Sequence, residues 1–236
     1  MNSLQKMGGV AALIMAATFV MGIALFFTLL GPAGYFAADV DAVQNAAFLA
    51  NNQAVMYLWY LTIYVVFGVF LVVLSLALYE RLQADSPAMA QTATAFGIIW
   101  AGLVIAECMV ANVGTGVVVD LYGKDPAQAA SLWLALDVMV RGLGGGKEMV
   151  GGLWVLLVSW AALRAGGLPR ALSYLGLVLG ITGILHTAVP ALDVLGAVFG
   201  LALIVWFLWL GIVLVRANPS ATAQGPDAFV PRHARL

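Results

Sequence analysis

Apolar residues fall into long blocks along this chain, broken by short polar segments. A helix that crosses the ~30 Å hydrocarbon layer of a bilayer needs about 20 predominantly apolar residues. Blocks of that kind cover residues 8–30, 54–79, 92–115, 149–163, 171–189 and 194–215. The fourth is short, but a charged and glycine-rich stretch extends it backwards, and Pro190 ends the fifth. The blocks are apolar on most sides, as a helix between lipid and bundle must be. The pattern predicts an all-α fold: a polytopic transmembrane bundle of six spans over residues 1–216. A flexible tail rich in Pro, Ala, Gly and Ser is expected over 217–236.

Composition agrees. Hydrophobic residues make up 64% of the chain against 9% charged, more apolar surface than a soluble domain of 236 residues could hide. The apolar run after Lys6 exceeds the ~7–15 residues of a signal sequence, so the first span is expected to stay. Charge then orients the bundle. Lys6, Arg81, Arg164, Arg170, Arg216, Arg232 and Arg235 fall at one end, while Asp39, Asp41, Asp120, Asp125 and Asp193 fall at the other with Lys124. The positive-inside rule and an even number of spans place both termini in the cytoplasm. Tyr35, Tyr57, Trp59, Tyr60 and Trp133 lie near the outer ends, where an aromatic belt is expected.

Two outer connections are long enough to carry structure. Residues 37–53 read as a short amphipathic helix ahead of the second span. Residues 126–141 begin with a proline suited to a first helical position, and either lie on the outer surface or join the fourth span as one long bent helix.

Ionisable residues inside the spans are costly and need a partner or a purpose. Glu107, Glu148 and His186 each lie about 16 residues from the inner end of their span, or ~24 Å at 1.5 Å per residue, which puts all three at one level in the outer third of the membrane. Lys147 stands beside Glu148, and Cys108 and Asn112 stand near Glu107. Asp137 and Arg141, at i and i+4, read as an interfacial ion pair. Glu107 is expected to bridge to Lys147 or Arg141, as glue or as function, and His186 to bond a carbonyl or join a site. Gly142, Gly144, Gly145 and Gly146 form either a stripe that lets a neighbour approach the backbone or a hinge, as in a broken transport helix. Gly176, Gly180 and Gly183 read as a close helix contact and Cys108 as a small packing residue.

The opening MGGVAALIMAATFVMGIALFFTLLGP, the six-span pattern, and a long outer connection ending NNQ before an aromatic second span resemble a bacterial integral membrane family known as a domain of unknown function. The resemblance covers nearly the whole chain. It implies a bacterial plasma membrane location and transfers no catalytic residue.

Three functions fit these residues. The first is a non-enzymatic membrane protein whose polar pocket, in the outer half of the bundle, binds a small or lipophilic ligand, or which serves as an accessory subunit. The second is a small proton-coupled transporter, with Glu107, Glu148 and His186 as relay and the glycines as hinge. The third is a membrane metalloenzyme with Glu107, Glu148 and His186 as ligands, to which Asp193 could be added, a carboxylate-heavy set with no HExxH pattern. The first is preferred, because no catalytic motif has the context it needs. No residue pattern specifies a cofactor. The bilayer is the implied partner, an accessory role would add a second copy or another membrane protein, and nothing basic enough for nucleic acid is present.

Overall fold

The computed structural model describes residues 3–35, 41–192 and 194–216. Asp39, Asp193 and the tail over 217–236 therefore lie outside the described residues. Within them the chain is helical, with six helices long and apolar enough to cross a membrane. These are α1 (Ser3–Leu25, continued by a π-helical turn Phe26–Leu30); α2 (Ala42–Tyr60), which passes through a second π-helical turn (Leu61–Val66) into α3 (Phe67–Leu82); α4 (Pro87–Tyr122); α5 (Pro126–Ala165); α6 (Arg170–Ala188); and α7 (Val194–Arg216).

Two expected boundaries change, and of the two readings of residues 126–141 one is realised. The amphipathic segment and the second span form one helical run, Ala42–Leu82, started by Asp41, whose side chain accepts from Val43 N at 3.1 Å. Asn52 marks a kink in it (φ −126°, ψ 19°) rather than a boundary, and its Nδ2 donates to Phe48 O at 2.9 Å. The third span is longer than its apolar block, at 36 residues. Residues 126–141 join the fourth span in one helix of 40 residues, capped by Asp125, which accepts from Ala127 N and Gln128 N. That helix runs through Gly142–Gly146 without an unwound turn.

At 1.5 Å per residue, α4 and α5 are ~54 and ~60 Å long, about twice the hydrocarbon thickness. The excess needs apolar packing of its own. It gets it in a second core cluster, built on Leu30, Leu49, Met56, Val118 and Ala129, that caps the carboxylate-bearing end of the bundle. Tyr35 and Tyr60 are buried in that cluster, so neither is a belt residue facing lipid. Trp133 Nε1 donates to the Tyr35 hydroxyl at 3.4 Å, and burial pushes the Tyr35 phenol above its usual range, which keeps it neutral.

The spans close into a ring. Each packs on the next in chain order, and α7 returns to α1. Small residues make the closest seams: a Cβ on Gly9 would press on Gly211 O at 3.0 Å. At the arginine-bearing end, Arg81 Nε donates to Gly167 O at 2.6 Å and ties the second span to the turn between α5 and α6. The middle of the ring is filled with aromatic rings. Trp154 stands 5.7 Å from Trp100 and 5.8 Å from Trp206, and Phe207 packs 5.4 Å from Trp206. Trp154, Trp206 and Phe207 are fully buried, so the axis of the bundle is plugged.

Candidate functional site

The polar layer lies where the two apolar clusters meet, and α5 organises it. Lys147 and Glu148 are consecutive, so on a helix of 3.6 residues per turn their side chains point ~100° apart. They reach different neighbours. Lys147 Nζ donates to both carboxylate oxygens of Glu107 on α4, at 2.9 and 2.7 Å. Glu148 Oε2 lies 2.7 Å from His186 Nε2 on α6. One helix thus clasps both of its neighbours at a single level.

The sequence prepares this geometry one turn further on. Gly151 and Gly152 follow Lys147 and Glu148 at i+4, so each face of α5 carries one charge and one glycine. On the α4 face, the Trp100 ring lies where a Gly151 Cβ would stand, 2.6 Å from Cε2. On the α6 face, a Gly152 Cβ would stand 2.8 Å from Gly180 O and 3.0 Å from Ile184 N. The expected close contact at Gly176, Gly180 and Gly183 is therefore present, and it packs α6 against α5. Gly176 meets Ser159 and Trp206, while Gly180 and Gly183 meet the α5 backbone.

Burial differs between the two pairs. Glu107 is only 2% exposed, and Lys147 adds a cation–π contact 4.3 Å from the Tyr64 ring centroid. Tyr64 stacks on Tyr60, with centroids 5.8 Å apart, so the tyrosines of the second span lead inwards to the Glu107–Lys147 pair. The Glu148 side chain is 33% exposed. The His186 ring packs on α7 at Gly196, where any larger side chain would overlap it. Arg141 pairs with Asp137 one turn away and is 73% exposed, so this pair stays at the surface of the bundle and does not enter the layer. Cys108 is fully buried and accepts from Asn112 Nδ2 at 3.6 Å.

Glu107, Glu148 and His186 therefore share a layer but not a single point, because Glu107 faces an ammonium rather than the other carboxylate. Among the described residues no three His, Cys, Asp or Glu side chains are placed to hold a metal ion. Asp193, the further candidate ligand, lies outside the described residues.

The sequence leads one to expect a polar pocket in the outer half of the bundle; the cavity beside the layer is mostly apolar. A pocket of about 310 Å³ lies between α1, the second π-helical turn, α4, α5 and α7, just above the aromatic plug. Phe19, Tyr64, Phe67, Trp100 and Phe199 line it, and its only charged lining residues are Lys147 and Glu148. A hint was present in the sequence: Gly200, on the last span, leaves part of the α7 wall open.

The sequence model of a family described as a domain of unknown function, DUF4386, matches residues 9–216. No curated protein and no solved structure matches the chain.

Proposed function

Because the chain belongs to the DUF4386 family, whose description assigns no activity, its own geometry has to carry the reading, and we propose that it binds a small lipophilic ligand within the membrane. The observation that carries this is the pocket: an apolar, aromatic-walled cavity of about 310 Å³ with two charged residues on one side. That is at the lower end of the ~300–1,000 Å³ usual for small-molecule sites, which are apolar with a few placed polar groups. The arginine-bearing end then faces the cytoplasm of a bacterial cell, as the positive-inside bias implies. A proton-coupled carrier would use the Glu148–His186 pair, but its path to the other end would have to pass Trp154, Trp206 and Phe207. The plug favours a dead-end site over a passage.

Gly200 offers the test. It lines the pocket, and nothing stands within 4 Å of where its Cβ would be. Gly200→Trp should fill the cavity without displacing a helix. In proteoliposomes, a decanol probe with a diazirine in its tail should label Phe19, Phe199 and neighbouring residues of the native protein. The variant should lose most of that labelling at unchanged thermal stability. Equal labelling of both proteins would reject the pocket as a binding site.

In this reading Gly142, Gly144, Gly145 and Gly146 let the end of α5 beyond the polar layer move as the ligand enters. Cβ atoms at Gly142 and Gly146 would meet nothing within 4 Å. The double variant Gly142→Ala, Gly146→Ala should therefore gain roughly 0.5–1 kcal/mol per site in helix stability. A raised melting temperature with slower probe exchange is the expected result. Faster or unchanged exchange in the stabilised protein would remove the hinge role.

A further inference from the structure

We propose that the ligand is a lipophilic amine, bound as its ammonium ion against Glu148 with its apolar part among the pocket's aromatic rings; this rests on the pocket reading above and adds the head group. The first ground is charge. The layer holds two carboxylates, Glu107 and Glu148, one ammonium, Lys147, and one imidazole, His186. Summed, these groups lie between minus one and zero, depending on the imidazole, and never reach a positive value. An anionic head group would enter against that balance.

The second ground is hydrogen-bonding capacity. Lys147 has three donors, and Glu107 takes two of them while the ammonium sits over the Tyr64 ring. Glu148 has two oxygens and about four lone-pair sites, of which His186 engages one oxygen. Its side chain is a third exposed and it lines the pocket. The unspent capacity on the pocket wall is therefore acceptor capacity, and the ligand must bring the donor.

The third ground is the wall itself. Trp59, Tyr64, Phe67, Trp100 and Phe199 surround the cavity, and aromatic faces attract ammonium groups while their bulk buries a hydrocarbon or aryl tail. Lys147 also lines the pocket, but its charge is matched by the Glu107 carboxylate bonded to it. Glu148 is the acid left to face an incoming cation.

The experiment uses three photoreactive probes with the same ten-carbon tail and a primary amine, alcohol or carboxylate head. All are applied to the full-length protein in proteoliposomes at a pH where the amine is charged and the acid ionised. Membrane partitioning differs between the heads, so pocket labelling is divided by labelling of the exposed apolar groove on α4 and α5 at Met109, Val113, Leu132 and Met139. The expected ratio for the amine exceeds that for the carboxylate by roughly tenfold or more, since bringing like charges face to face opposes binding. Glu148→Gln, which keeps the size of the side chain, should remove the amine's advantage while leaving alcohol labelling intact. A carboxylate preference, equal ratios for all three heads, or amine selectivity that survives Glu148→Gln would overturn the amine assignment and leave the pocket standing. Pocket labelling no higher than groove labelling for every head would overturn both.

Discussion

Lys147→Met is expected to destabilise the protein by about 3–5 kcal/mol, the usual cost of stripping a buried charge of its partner. Glu107 is 2% exposed, and Lys147 donates to both of its carboxylate oxygens. The variant leaves a carboxylate among Tyr64, Val104 and Cys108, to be either ionised without a cation or protonated. The matching change tells the clasp from mere bulk. Glu107→Leu with Lys147→Met removes both charges, and replacing a buried pair by apolar residues is often neutral or stabilising. Thermal unfolding in one detergent, at constant pH, should therefore place the single variant far below the native protein and the double variant near it. A single variant as stable as the native protein would mean that the pair contributes nothing to holding α4 on α5.

Gly152→Leu is the second large effect. The atoms around a Cβ at this position are Gly180 O, Ile184 N and the Gly183 carbonyl carbon, all main chain, so no side-chain rotation can make room. α5 and α6 must part, at a cost of about 3 kcal/mol or more, the upper range for overpacked cores. Separation at Gly152 also carries Glu148 away from His186 one turn along. Loss of folded protein in detergent, or a disulfide between cysteines placed across this seam forming less readily than in the native background, would show it. Gly142→Leu is the control, because that position is open. If both leucine variants fold equally well, the seam is not close-packed in the membrane.

Much of this architecture could be read from residue order. Six spans follow from the length of apolar runs, and counting residues from the arginine-bearing ends put Glu107, Glu148 and His186 at one level. The 2.7 Å contact between Glu148 and His186 agrees with that level. The i, i+4 spacing of Asp137 and Arg141 was enough to pair them, because both lie on one helix. Pairing across helices was harder. Whether Glu107 meets Lys147 or Arg141 depends on which face of α5 turns to α4, and helices apolar all round carry no stripe to say so. The GKEMVGG run held the answer in its i, i+4 repeat of a charge and a glycine on each face. Reading it that way requires knowing that the spans close into a ring in chain order. The extent of α2 was hidden for a related reason. Asn51 and Asn52 look like punctuation, yet the second apolar cluster buries enough of this helix beyond the polar layer to keep it continuous. The apolar character of the pocket was harder to read, since it is bounded by rings from four spans that meet only in the folded bundle.

The ring also fixes an order in time. Gly9 on α1 finds its seam on Gly211 of α7, 211 − 9 = 202 residues later in the chain. At ~5–20 residues per second of synthesis, the first helix waits roughly 10–40 s for the surface it finally packs against. During that interval α3 can cover its Gly8 face through Ala77, but the Gly9 face has lipid or an insertion factor as its only neighbour. Closure of the bundle thus waits for α7, and a nascent chain stalled before that span exposes a glycine groove with nothing yet to fill it.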